Sequence, residues 1–228
     1  MSDEYLNVLA VDTTTRQLNL AVLFGGDRSV KSSELVPGTH GQILLKKIDD
    51  LLSSAGLAIS NLQAIVVSLG PGSFTGLRIG LAAVKGIAIA RDIPIVGVTL
   101  FEVAALCLKR SEGPAHVLIP SRKGEFYVGT YRDGAICESD IGVVEDKDLA
   151  TCVGDDRIYT IGYDPPLTLK EGTPGLKGRS LDYDAGDVLQ VGLEKFNRGE
   201  KSDLAVLEPV YLQKAIAEIR FDQKSRSK

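Results

Sequence analysis

The segment "SLGPGSFTGLRIGLAAVKGIAIARD", residues 68–92, constrains the chain more than any other. It opens with three glycines and a pair of hydroxyls, then continues as a helix whose only charges before Arg91 are Arg78 and Lys85. A helix on one face of a sheet needs an apolar stripe of about 100°. This one carries Leu77, Ile79, Leu81, Val84, Ile87 and Ile89 among small residues, and so is apolar over much more of its circumference. Either its own domain surrounds it or another chain covers it. Gly76, Gly80 and Gly86, with Ala82 and Ala83, leave flat ground where a second helix can approach closely.

The glycine-rich start does not have the spacing of a nucleotide loop. A phosphate-cradling GxxxxGK[ST] loop needs a lysine after its last glycine. Here Gly72 and Gly76 are four apart and Leu77 follows, and Gly70, Gly72 and Gly76 do not form GxGxxG. A tight turn with Ser73 or Thr75 capping the helix is the expectation from spacing. The turn "DTTT" after the first strand is a second place to look for phosphate contacts. Thr13 follows Asp12 with no glycine to let the backbone approach a phosphate, so a hydroxyl-rich β-turn is the simpler reading.

Around these motifs the chain alternates. Residues 6–15, 17–24 and 29–36 read as three strands joined by the short turns "DTTTR" and "GGD". In "THGQILLKKIDDLLSSAG", Ile43, Leu44, Ile48, Leu51 and Leu52 recur at helical spacing, with Thr39 a candidate N-cap and Gly56 a stop. The continuous apolar runs at 62–70 and 93–99 mark central strands, and residues 100–110 a third helix. The second half starts again as a meander, "AHVLIPSRKGEFYVGTYRDGAICES", followed by a strand from residue 157 and a helix over 184–199. Two related α/β lobes follow from this, residues 1–110 and 111–228, each with a mixed sheet and helices.

Composition narrows the function. A net charge of −4 and a pI of about 5.3 argue against a stand-alone nucleic-acid binder; the one basic cluster is the tail "QKSRSK". Cys107, Cys137 and Cys152 are odd in number and form no CxxC, which suits a reducing cytoplasm rather than a disulfide framework. No uncharged apolar run reaches the roughly 18 residues of a membrane span, and the acidic start is not that of a signal peptide. His40 and His116 are the only histidines; Leu44 lies four beyond His40, so no HxxxH pair exists. No Ser-His-Asp set stands out, and the carboxylate pairs Asp49-Asp50 and Asp155-Asp156 read as solvated faces.

The stretches "LAVDTTT", "THGQILLKKIDDLL", "LGPGSFTGLRIGLAAVKGIAIA", "RKGEFYVGTY" and "EPVYLQK" resemble, in order and spacing, the TsaB (YeaZ) family. The likeness covers the first 130 residues well, is weaker up to "EPVYL", and rests most specifically on "GPGSFTGLRIG". One departure stands out: the family reads Asp-Ala-Arg where this chain has Pro120-Ser121-Arg122. The resemblance implies an actin-like ATPase (ASKHA, ribonuclease H-like) fold that has lost catalysis. It further implies a scaffold role beside TsaD, the subunit that modifies tRNA with a threonylcarbamoyl group, with TsaE as further partner and TsaC supplying the donor. Where TsaD carries metal-binding histidines, the aligned positions here are Leu100 and Ala104.

The resemblance also implies that two first-lobe helices dock on TsaD, or on a second copy when the chain is alone. The expected interface residues are Ile43, Leu44, Lys47 and Leu51 of one helix and Phe74, Leu77, Arg78, Leu81, Val84 and Lys85 of the other. Gly70, Pro71, Gly72, Ser73, Thr75 and Gly76 form the signature loop. No cofactor, no metal and no membrane are expected, tRNA is met only through the complex, and Asp12 and Thr13 are the candidate contacts for a weak residual ATP or ADP affinity. The main rival is an ATP-dependent phosphotransferase of the same fold, for which Asp12 alone is a candidate acid. A metallopeptidase is the lesser rival.

Overall fold

Two runs of strands, each opening as an antiparallel meander, frame the computed structural model, which describes residues 6–36, 40–108, 113–122, 124–133, 135–137, 141–162, 178–210 and 212. The first run is β1 (Val8–Asp12), β2 (Gln17–Phe24), β3 (Arg28–Leu35), β4 (Ala64–Ser68) and β5 (Ile95–Val98), in the sheet order β3-β2-β1-β4-β5. β1 pairs antiparallel with β2 and parallel with β4. The second run is β6 (Ala115–Pro120), β7 (Glu125–Arg132), β8 (Ala135–Ile136), β9 (Gly142–Glu145), β10 (Arg157–Thr160) and β11 (Gly178–Ser180). Its order is β11-β10-β6-β7-β8, with β9 also on β7. Each sheet is therefore a meander flanked by two parallel strands, as the repeated sequence pattern predicts.

The helices are α1 (Leu44–Ser54), α2 (Phe74–Arg91), α3 (Leu100–Leu108), α4 (Leu149–Val153) and α5 (Ala185–Asn197). β1, β4 and β5 are buried along their whole length, as continuous apolar runs require when both faces are covered. On one face of the first sheet, Leu9, Val11, Ile65 and Val67 meet Leu44, Ile48 and Leu52 of α1 and Leu81, Val84 and Ala88 of α2. On the other face, Val8, Ala10, Val66 and Val96 meet Val188, Leu189 and Val191 of α5. α3 fills the space between the sheets, with Leu100, Phe101 and Ala104 packed against Val117, Ile119 and Tyr131.

β1–β5 form one sheet and β6–β11 the other, but α5, from the second half of the chain, lies on the first sheet. Gly192 makes that contact close: a Cβ there would run into the side chain of Val66. Asp184 caps α5, accepting from the Gly186 amide at 2.6 Å, while the amide of Asp184 donates to Asp187. Lys31 on β3 pairs with Asp184 at 2.6 Å and holds the helix start against the sheet edge.

Element ends shift slightly from expectation. α1 begins at Leu44 after a single 3₁₀ turn over His40–Gln42, rather than near residue 41. Gly56 takes the left-handed conformation expected of the stop (φ 71°), and Gly199 does the same after α5 (φ 81°). The proposed Thr39 cap and the tail from residue 213 lie outside the described residues.

Candidate functional site

The turn after β1 and the loop before α2 are the two places where the sequence invites a search for phosphate contacts. Here they close on each other. Asp12 is fully buried, and both its carboxylate oxygens are filled. Oδ1 accepts from the Thr14 amide at 2.9 Å and the Thr14 hydroxyl at 2.6 Å; Oδ2 accepts from Asn19 at 3.2 Å and the Tyr183 hydroxyl at 2.7 Å. Ser33 donates to Asn19 in turn, so the network runs from β3 to the segment that enters α5. Burial beside Asp12 pushes the Tyr183 phenol well above its usual range, which keeps it a donor.

Thr13 is buried as well, and its hydroxyl donates to the Gly76 carbonyl at 2.8 Å. The Ser73 amide donates to the Thr14 carbonyl at 2.7 Å, and the Ser73 hydroxyl accepts from the Gly76 amide at 3.2 Å, the expected cap of α2. The glycines explain themselves here. A Cβ on Gly72 would strike the Thr14 carbonyl, on Gly76 the Thr13 carbonyl, and on Gly80 the Thr13 hydroxyl. These glycines let α2 and its loop lie directly on the "DTTT" turn. Gly70 (φ 92°) and buried Pro71, joined by a cis peptide, complete the loop, and the Leu100 amide donates to the Gly70 carbonyl at 2.7 Å. Asp12 and Thr13, the expected nucleotide contacts, thus spend their polar atoms inside the protein.

Above this junction a cavity of about 610 Å³ opens between the sheets. Thr15, Arg16, Ser73 and Thr75 give it a polar side, and Ile79, Ile119 and Ile161 an apolar one. Pro120 lines it too, at the position where the sequence departs from its resemblance. Among the described residues no group of three or more His, Cys, Asp or Glu side chains converges on a metal position. Leu100 and Ala104 are fully buried core.

The two first-lobe helices correct the expected interface. Leu44, Leu51, Leu77, Leu81 and Val84 all face inward, each at most 7% exposed, and four of them belong to the core between α1, α2 and the first sheet. The sheet needs one apolar stripe from each helix, and these residues supply it. Ile43 packs half-buried against the same core, and half-buried Lys47 is paired with Glu34. What α2 presents outward is Phe74 (42% exposed), Arg78, Ala82 and Ile89 (67% exposed), with Lys85 half-buried beside them. Arg78 stacks over the Phe74 ring at 4.1 Å from its centre. Leu45 of α1, 55% exposed, is outward on the companion helix. Leu45 and Ile89 were missed as surface residues, although both are the apolar positions that fall off their helix's inward stripe.

A second polar cluster, unforeseen in the sequence, lies on the other sheet. His116, buried on β6, faces Thr130 directly across the β6–β7 ladder. Its Nδ1 is 3.1 Å from the Thr130 hydroxyl, and its Nε2 is 3.1 Å from Asp156, just before β10.

Comparison with known proteins places this geometry. The family model described as "TsaD: tRNA N6-adenosine threonylcarbamoyltransferase" matches residues 33–146, half of the chain. The tRNA threonylcarbamoyladenosine biosynthesis protein TsaB of Escherichia coli (strain K12) is 27% identical, over 93% of this chain and 96% of its own length. TsaB of Bacillus subtilis (strain 168) is 28% identical, over 97% of this chain and all of its own. YeaZ from Pseudomonas aeruginosa superposes with a TM-score of 0.71 at 29% identity, covering 91% of this chain and 100% of that one. With the two repeated mixed sheets, these relatives make the fold the expected α/β one, shared with YeaZ.

Proposed function

The chain belongs to the TsaB (YeaZ) family, and from that premise we propose that it is a non-catalytic subunit of the machinery that makes threonylcarbamoyladenosine in tRNA. Its role in that biosynthesis is to bind the TsaD subunit through the outer faces of α1 and α2, with TsaE joining the assembly and tRNA met only through it. The single observation that carries this reading is the exposed strip of Phe74, Arg78, Ala82 and Ile89 on α2, with Leu45 exposed on α1. Small residues along it let a second helix approach, and the two large apolar side chains at its ends would anchor one. A second copy of the chain would use the same strip in the absence of TsaD.

Residues 1–110 then form the docking lobe, completed by α5. The loss of phosphotransfer chemistry is supported by the junction of Asp12, Thr13 and the loop glycines, whose atoms hold the fold together instead of holding nucleotide. No helix among the described residues is long and apolar enough to cross a membrane.

The test charges both ends of the strip. Phe74→Asp with Ile89→Asp should leave the thermal melt unchanged and abolish co-purification with TsaD. Tight TsaD binding by that double variant would remove the proposal. Omitting the chain from a mixture of TsaC, TsaD, TsaE and tRNA should stop modification.

A further inference from the structure

Among the described residues, α4, only five residues long, leaves one end of the second sheet's outer face uncovered. Leu118, Phe126, Val128 and Ile158 are buried under Leu149 and Val153. Beyond that patch, Thr130 of β7 and His116 of β6 stand opposite each other, and Asp156, just before β10, reaches His116 from the adjoining strand's start. All three line one cavity of about 450 Å³, together with Arg132, which shares Thr130's face two residues further along β7.

The direction of the bonds follows from the tautomer of His116. Asp156 sits at the surface, 38% exposed, with its carboxylate 3.1 Å from Nε2 of His116. In the tautomer that carries the ring proton on Nε2, the imidazole donates to Asp156. Nδ1 is then the unprotonated nitrogen and accepts the Thr130 hydroxyl proton. A hydroxyl aimed at an imidazole whose tautomer is held by a carboxylate is the arrangement that activates an alcohol for attack, and it is recognised by these roles whatever the fold.

We propose that Thr130, His116 and Asp156 form an acyl-accepting site that hydrolyses small, short-chain esters, separate from the docking strip and independent of that reading. Thr130 Oγ attacks the ester carbonyl carbon as its proton passes to Nδ1 of His116, and the negative charge gathers on the carbonyl oxygen within reach of Arg132. The bond to the leaving alkoxide breaks, and the imidazolium returns the proton to it. Water then attacks the acyl-threonine with His116 taking its proton. The bond to Oγ breaks, Thr130 recovers a proton from His116, and the carboxylic acid leaves. Ester and water are consumed, and acid and alcohol formed. Asp156 touches no reacting atom and is a positioning residue.

The experiment uses the full chain and p-nitrophenyl acetate. The wild type should release p-nitrophenolate about a hundredfold faster than Thr130→Val, the low end of general-base assistance. Mass spectrometry at early times should find acetyl on Thr130 in the tryptic peptide spanning residues 124–132. Thr130→Ser should keep both signals, which a merely structural threonine would not predict. Asp156→Asn should lower the rate of acylation without changing which residue is labelled. His116→Gln should abolish the label; if that variant does not fold, the Ser and Asn variants decide. Equal rates for the wild type and Thr130→Val, or acetyl found only on lysines, would overturn the site.

Discussion

The two sheets share a strand order and differ in what covers them. The first is closed on both faces, by α1 and α2 on one side and α5 on the other, and its central strands β1, β4 and β5 are buried along their whole length. Among the described residues, the second has α3 on its inner face but only the single turn and a half of α4 outside. The same topology thus gives one lobe whose Asp12 and Thr13 are hydrogen-bonded inside the protein, and another with a hydrogen-bonded trio open to a cavity. In this protein the covering layers, more than the sheets, decide where chemistry can persist and where it has been converted into packing.

The sharpest way to break that contrast is to place the same charge in each lobe. Leu81→Asp puts a carboxylate into the closed core of the first and should cost more than about 4 kcal/mol, enough to unfold the chain in urea titrations. Val144→Asp, half-buried under the thin cover of the second sheet, should cost about 1 kcal/mol. Equal losses would mean that the second sheet is as closed as the first. A middle-sized effect is expected from Tyr183→Phe, which removes one of the four donors to Asp12 and should lower stability by about 1–2 kcal/mol, read from the denaturation midpoint.

The smallest effect tests the boundary between the lobes. Cys107 on α3 has its thiol pushed up to about 11, first by burial and then by Asp187 and Asp184. Its proton is held more tightly in the folded state than in the unfolded chain, where the ordinary value is 9.0. Stability from this group is therefore complete below pH 9 and falls as pH rises from 9 toward 11. The melting temperature of Cys107→Ala should decline less steeply across that window.

Much of this architecture can be read from residues alone. The run "QLNLAVLF" marks β2 to the residue, and Asp184 and Gly199 bracket α5 as cap and stop. The orientation of α2 could not be read, because an all-round apolar helix offers no polar face to set against the core. Composition led to Leu77, Leu81 and Val84 as partner contacts, whereas the sheet claims them and leaves Phe74 and Ile89 outside. β9, β11 and α4 escaped notice because elements of three to five residues carry less than two periods of any pattern. The trio of His116, Thr130 and Asp156 was invisible for a different reason. Its members lie 14 and 40 positions apart, and only the strand register brings them onto one face.

The return of α5 to the first sheet has a consequence for how the chain is made. Until residue 197 has left the ribosome, the face formed by Val8, Ala10, Val66 and Val96 has only Val103 and Leu106 of α3 beside it among the described residues, although all five strands of that sheet are already synthesised. The lobe that emerges first must wait for α5 to finish. A nascent chain cut near residue 110 would expose this apolar face to its neighbours, and aggregation would then compete with folding.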